Sequence, residues 1–554
     1  MIALSEVTCP DFGDPLTASY WVVGDFASAD DLWRQRPLAG INGSLFEKML
    51  HDAGLLATEA FYTLAWPSRF DPIPGQACPF WTEKKKEALA AGLSPVAGWY
   101  ASPQVLHYRD QLRTRIQTQR PKVVIALGDF ALWCLTDQDS VTSWRGSLIP
   151  FSQDTVIIPV QHPRMIQKCW DWRTFAVRDL ERVRDLLAYP DRYTPPPYNI
   201  KIRPEFLEAY HRIKTLQDQC TKGPVHISCD IETLARHISV IGIAWSAHDA
   251  LVLPLVQEEA RHYWSLDEEW ALMDALRDLL THPNCLVSGQ NFAYDAQYFA
   301  KYLGYVPNLV YDTMLMQHTL FPGIPKDLGF LSSMYCHHHL YWKDELTDFN
   351  RVPDNLEQYW NYNGKDCCKT WEIAEVLHKV LIKEDMERQY SFILQMWART
   401  LRCMLKGVRI NQKARSEVAG QLMEAIAVRE QAIHDIVGFP LNVGSSPQMQ
   451  EFFYNDLKAP LQRNKKTKRP SCDDEALSKI AKHQPLLAPL INLISEKRSL
   501  GVFLSTFCLM PLDTDGRMRT SYNVGGTETF RFSSSENAFG SGGNLQNIPK
   551  GDEE

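Results

Sequence analysis

The sequence predicts a multidomain α/β protein: a parallel-sheet domain first, a mixed sheet flanked by helices second, and a mainly α-helical region last. Three observations carry this reading. Short apolar runs at 20–23, 60–64, 121–128 and 156–160 alternate with helical patterns, the rhythm of a parallel sheet. Runs at 225–229, 237–246, 250–256 and 285–288 follow closely, and the second and third alternate like antiparallel strands. Near residue 389 the apolar period changes to that of long helices, at 389–405 and 412–436.

With 554 residues the chain has room for three or four domains. Hydrophobic residues make up 45% and charged residues 22%, the balance of an ordinary globular protein. The net charge of −8 excludes a protein coated in basic residues, but a basic groove around an acidic site stays compatible with it. Thirteen cysteines are scattered without a CxxC, which reads as reduced thiols in a cytoplasmic compartment. The first residues lack a basic, then apolar, leader, and no run is long enough to span a membrane, so no signal peptide and no membrane partner are expected.

In the first domain, the strand at 20–23 runs into Gly24-Asp25-Phe26-Ala27-Ser28-Ala29-Asp30-Asp31. A helix at 45–53 follows, then a strand at 60–64 and a proline-rich loop at 66–75. The strand at 121–128 enters a helix at Asp129 through Gly128, and the strand at 156–160 ends at Gln161-His162-Pro163-Arg164. These blocks, with Trp144-Arg145-Gly146, resemble the uracil-DNA glycosylase superfamily in content and order. The resemblance implies a pocket formed by Gly24, Asp25, Asp30, Asp31 and His162, with the His162 imidazole stabilising the leaving uracil of a flipped-out base. Two departures stand against it: the iron–sulfur cysteine pattern and an asparagine near 61–65 are absent. The domain therefore either excises uracil or only binds DNA, and His162 is either an oxyanion donor or a hydrogen-bonded turn residue.

A proline-rich connector at 191–222, ending in a short helix at 204–220, leads to the stretch Val-His-Ile-Ser-Cys-Asp-Ile-Glu that begins at Val225. Alternate strand residues share a face, so Asp230 and Glu232 leave the sheet together. Like charges that converge in this way are relieved by a hard divalent cation with oxygen ligands. Asn291 and Asp295 follow the strand at 285–288, and Tyr362 and Asp366 lie four apart on one helical face. These blocks resemble the 3′→5′ exonuclease domain of family A DNA polymerases, in their order. The resemblance implies a ribonuclease-H-like sheet, a pair of Mg²⁺ or Mn²⁺ ions on Asp230, Glu232, Asp295 and Asp366, a water-orienting Tyr362 and a DNA-contacting Asn291. Asp312 in Tyr-Asp-Thr reads as a helix cap, and three consecutive histidines at 337–339 cannot converge on one metal.

From 386 on, the helices, the basic loop at 463–469 with Lys465, Lys466 and Lys468, and a helix capped at Ser471 resemble the thumb of family A DNA polymerases. The basic loop is either a phosphate-binding element or a solvated turn. Thr-Glu-Thr-Phe-Arg-Phe-Ser-Ser-Ser from Thr527 and Asn-Leu-Gln-Asn-Ile-Pro from Asn544 resemble that family's primer–template strip, with Arg531 and Gln546 as the implied contacts. Phe530 stands where the family usually has glycine. No palm aspartates follow residue 549 in this sequence, so residues 1–554 alone are not expected to polymerise. A split gene, a fragment and a separate palm chain all fit. The expected domains are thus 1–190 glycosylase-like, 191–222 linker, 223–385 exonuclease, and 386–554 thumb with the start of a palm. Such an arrangement fits a bacteriophage enzyme working on single-stranded 3′ ends and primer–template DNA. A glycosylase joined to an editing nuclease, and a non-catalytic DNA-binding scaffold, are the alternatives.

Overall fold

The computed structural model describes residues 8–69, 81–82, 84–85, 88–89, 92–193, 197–345, 355–465 and 468–547. They divide into two compact units, Met1–Asp295 with Tyr305–Tyr390 and Ala296–Gly304 with Ser391–Glu554. Lys466, the Thr194–Pro196 part of the connector and the final Ile548-Pro549 lie outside the described residues.

The first unit contains two large sheets and, among the described residues, a small antiparallel one of Trp81–Thr82, Trp99–Ala101 and Ser94–Val96. In the first, the order is Ala60–Arg69, Tyr20–Ala27, Val123–Leu127, Val156–Val160 and Ile149–Pro150, parallel except for the last. Its central strands are continuous apolar runs because both faces are covered. Trp21, Val23, Val124 and Ala126 pack on one side, and Tyr20, Val22, Ile125 and Leu127 on the other. The strand expected at 60–64 continues to Arg69, into the stretch read as a loop. Gly128 caps the helix Asp129–Thr136 at φ +110°, and a Cβ there would lie 2.3 Å from an Asp25 carboxylate oxygen. Glycine is needed on both counts.

The second sheet is mixed, in the order Leu309–Asp312, Cys285–Gly289, Val225–Leu234, His237–Ala244, Asp249–Pro254 and Asn199–Lys201. Val225–Leu234 runs parallel to Cys285–Gly289 and antiparallel to His237–Ala244. The four expected strands are present, with two additions: Leu309–Asp312, parallel to Cys285–Gly289, and one at the opposite edge. Asn199–Lys201, in the stretch read as connector, pairs parallel to Asp249–Pro254 at the sheet edge. The helix Phe206–Cys220 follows, burying Ala209, Ile213 and Leu216. The 28-residue helix Leu356–Lys383 crosses the sheet and buries Tyr359 and Trp360 against Val240 and Val252. Gly242 permits that crossing, since a Cβ would lie 2.3 Å from the Asn363 amide oxygen.

A buried polar cluster joins the two sheets. The Arg145 guanidinium donates to both Asp179 oxygens, at 3.0 and 2.7 Å, and to Ser333 Oγ at 2.6 Å. Arg182 donates to the carbonyls of Ser333 and Cys336, at 2.7 and 2.9 Å. Trp144-Arg145-Gly146, quoted above for its glycosylase likeness, therefore points its arginine toward the second sheet domain.

The second unit is mainly helical. Gln412–Val437 and Ala488–Phe503 contribute Ile433, Leu490, Ile491 and Ile494 to one core with Met449 and Phe453. The helix Asp474–His483 is capped by Asp473, not by Ser471 as expected. Asp473 accepts from the Ala476 N–H at 2.9 Å, while the Ser471 hydroxyl donates to Asp473 at 2.7 Å. The carboxylate is the better acceptor for exposed helix N–H groups, and the serine holds it in place. Phe530 has φ +59°, in the left-handed region that favours glycine.

Asp179→Ala would leave two guanidinium groups buried without their carboxylate. The expected loss of stability is about 3–5 kcal/mol, read from denaturant unfolding of the full chain.

Candidate active site

The acidic site grows from the end of Val225–Leu234. The strand carries Asp230 and Glu232 on one face, and its register shifts between Glu232 and Thr233 against the neighbouring strand. The helix Leu356–Lys383 brings Tyr362 and Asp366, one turn apart, over the same strand end. Ligand oxygens of Asp230, Glu232 and Asp366 all lie within 4.8 Å of one another. Asp295 is adjacent to this trio: its Oδ1 accepts the Ile231 N–H at 3.0 Å, between the two strand acids. Asp312 accepts the N–H groups of Asn291 and Phe292 as well as those of Met314 and Leu315. It therefore caps its helix and ties down the turn that carries Asn291, which is exposed and has φ +52°.

The electrostatics show the strain of this grouping. Burial, then the Asp295, Glu232 and Asp366 charges, hold the Asp230 carboxyl well above the usual carboxylate range. Burial and Asp366 push Glu232 up to about 8, and burial pushes Asp295 up to about 8. Three oxygen donors spaced for one ion, with their protons held back by mutual repulsion, fit a hard divalent cation. Among the described residues this is the sole such grouping of His, Cys, Asp and Glu.

Three neighbours had no signal in the sequence. The Trp342 indole N–H donates to Asp366 Oδ1 at 2.6 Å. The Lys343 ammonium donates to Asp366 Oδ2 and, at 2.9 Å, to the Tyr362 hydroxyl. The Asn363 amide donates to Asp230 Oδ2 at 2.8 Å. Asn363 sits beside Tyr362 on a recognisable helix, but Trp342 and Lys343 lie in an irregular stretch with no motif.

The other expected residues are not members of this trio. In the first sheet domain, buried Gly24 and Asp25 lie in the second half of the strand Tyr20–Ala27, and Asp25 Oδ1 accepts the Ala131 N–H at 3.0 Å. Burial pushes Asp25 up to about 7. Asp30 is exposed, whereas both Asp31 oxygens accept backbone N–H groups, from Ala39 at 2.6 Å and Ser28 at 2.7 Å. His162 caps the helix Pro163–Lys168, its Nδ1 accepting the Arg164 N–H at 3.1 Å. Burial, then Arg164, lower its pKa to about 3. The imidazole is thus neutral with its proton on Nε2. In the second unit, Lys465 pairs with Glu475 at 2.9 Å, and Lys468 stands in the left-handed region. Arg531 is exposed, and the Gln546 side chain donates to the Phe532 carbonyl at 3.0 Å.

Comparison with known proteins returns three family matches in chain order. Residues 10–183 match the uracil DNA glycosylase superfamily, 205–382 the 3′-5′ exonuclease family, and 412–554 DNA polymerase family A. The chain joins regions of three DNA-enzyme families. DNA polymerase I of Geobacillus stearothermophilus is 28% identical over 184 residues, 32% of this chain and 20% of the relative. The thermostable DNA polymerase I of Thermus caldophilus is 25% identical over 214 residues, 37% of this chain and 25% of the relative. The chain thus covers a quarter or less of the length of these polymerases. A solved structure, the POL domain of Pol1 from M. smegmatis in complex with DNA primer-template and dNTP, aligns at TM-score 0.47 and 17% identity, over 64% of this chain and 56% of that one. The exonuclease region carries with it a general dependence on divalent metal. Among the described residues no helix is long and apolar enough to cross a membrane, and twelve cysteines carry free thiols.

Because these acids keep protons when folded that the unfolded chain has already released, the metal-free protein holds its full stability below the ordinary glutamate value of 4.5. It loses stability as pH rises toward about 8. Thermal unfolding in chelator is expected to show this decline, and added Mg²⁺ to reverse it. Glu232→Gln should flatten the slope.

Proposed function

We propose that this protein is a 3′→5′ DNA exonuclease of the family A polymerase type. The observation that carries it is the convergence of Asp230, Glu232 and Asp366 to within ligand distance of one ion. The substrate is a single-stranded 3′ end, and the ions are Mg²⁺ or Mn²⁺, two per site, with Asp295 completing the set. Bound ions would supply positive charge to the scissile phosphate and to the entering and departing oxygens. The chain's own part is orientation. Asp230 is held by Asn363, Asp366 by Trp342 and Lys343, and Tyr362 stands one turn from Asp366, where its hydroxyl can aim a water at phosphorus. Water adds to the phosphorus, the bond to the 3′ oxygen breaks, and a nucleoside 5′-monophosphate leaves. Asn291, exposed at the turn, contacts the DNA end, while Arg531, Gln546 and the lysines of the 463–469 loop contact backbone phosphates.

The division into 1–190, 191–222, 223–385 and 386–554 belongs to the same proposal. The boundary between Tyr390 and Ser391 and the limits of the family matches support it. Free thiols favour a cytoplasmic setting.

A second activity is favoured by His162. A neutral imidazole that accepts at Nδ1 presents Nε2–H as a donor, the form that would steady a leaving uracil oxyanion. With Asp25 held up near 7 in the strand Tyr20–Ala27, residues 1–190 are proposed to excise uracil from single-stranded DNA.

Full-length protein is expected to shorten a 5′-labelled oligonucleotide from its 3′ end with Mg²⁺ or Mn²⁺. Asp230→Ala combined with Glu232→Ala should abolish this while leaving the unfolding transition in place. On a uracil-containing strand, alkali treatment should reveal breaks that His162→Ala removes. Undiminished breakage by that variant would end the glycosylase reading and leave the nuclease untouched.

A further inference from the structure

We propose that Lys343 is a positioning residue of the exonuclease site, held on station by a chain segment that the first sheet domain pins. The inference rests on the exonuclease reading above and goes beyond the acids and tyrosine that define it.

Residues 342 and 343 divide the Asp366 carboxylate between them. The Trp342 indole takes Oδ1 at 2.6 Å, and the Lys343 ammonium takes Oδ2. Lys343 also donates to the Tyr362 hydroxyl at 2.9 Å and lies 4.6 Å from the centre of that ring. A phenol oxygen that accepts an ammonium hydrogen is held at a fixed place relative to that cation. Lys343 therefore holds the hydroxyl oxygen of a water-orienting tyrosine in place. It does so while fixing the carboxylate one helical turn away.

A lysine side chain has many rotamers, and ordering it has an entropic cost. The backbone behind it is immobilised from the other side. The His339 carbonyl accepts the Leu148 N–H at 2.9 Å, and the Tyr341 N–H donates to Ser147 Oγ at 3.1 Å. The Tyr341 ring packs against Trp144 at 5.4 Å between centroids. Residues 144–148 follow the short helix Val141–Trp144 of the first sheet domain. Thus five consecutive residues, 339–343, are fastened at one end to that domain and at the other to the acid cluster.

The charge of Lys343 makes the role separable from plain support. The ammonium sits on a carboxylate that a cation would also use. Removing it should strengthen metal binding, because a positive neighbour is gone, and slow the reaction, because Tyr362 and Asp366 lose their guide. A residue that only supports the fold would weaken both when removed.

The test uses the full chain with Lys343→Met, Lys343→Arg and wild type. Mn²⁺ affinity is measured by calorimetry without DNA, and kcat and KM on a single-stranded oligonucleotide. For Lys343→Met the expected results are Mn²⁺ binding tighter by about threefold or more, kcat lower by roughly tenfold or more, and KM unchanged. Lys343→Arg should recover most of kcat. If Lys343→Met does not fold, Lys343→Gln, which keeps a donor without the charge, is read in the same way. Unchanged kcat, or weaker Mn²⁺ binding together with slower turnover, overturns the role of Lys343 alone. A wild-type chain that neither binds Mn²⁺ nor shortens DNA overturns the exonuclease reading and this inference with it.

Discussion

Repulsion among buried carboxylates is the constraint around which the second sheet domain is built. Asp230, Glu232, Asp295 and Asp366 gather near the C-terminal end of one central strand, and each is held above its ordinary pKa with burial as the leading cause. A grouping of this kind lowers the stability of the protein that carries it unless something positive occupies it. The surrounding donors make sense as the partial remedy. Asn363 satisfies Asp230, the Ile231 N–H satisfies Asp295, and Trp342 with Lys343 satisfies Asp366. They orient the acids and leave oxygens facing one another.

That arrangement depends on two close approaches. Gly242 allows the helix Leu356–Lys383 to lie near enough to the sheet for Asn363 and Asp366 to reach the strand acids. Asp312, with four backbone N–H groups converging on it, fixes the turn from which Asp295 departs. Neither residue is part of the acid cluster, and both determine where its members stand.

The two sheet domains of the first unit share a polar, buried junction. Arg145 pairs with Asp179 and donates to Ser333 Oγ, Arg182 donates to the Ser333 and Cys336 carbonyls, and the following segment, 337–343, continues into the acid cluster. A glycosylase-like domain attached in this way is structural support for its neighbour whatever chemistry it performs itself. The different treatment of its acids follows the same logic. Asp31 gives both oxygens to backbone N–H groups at the turn and at Ala39, whereas buried Asp25 accepts the Ala131 N–H through Oδ1.

Much of this was legible in the sequence, for a physical reason. Strand periodicity places Asp230 and Glu232 on one face whatever surrounds them, and helical periodicity does the same for Tyr362 and Asp366. The alternation of apolar runs likewise shows both sheets and the long helices, because burial on one or two faces is a local pattern. Ends and caps were less legible: Asp473 displaces Ser471, and the strand at 60 runs on to Arg69, since competition among neighbouring acceptors and sheet partners sets them. The edge strand Asn199–Lys201 carries no periodicity of its own and exists only because Asp249–Pro254 offers it a ladder. Trp342 and Lys343 were invisible for the same reason. Their partners are some twenty residues away, on a helix whose approach is set by a glycine in a third segment, so only the tertiary structure could decide that an irregular stretch would grip Asp366.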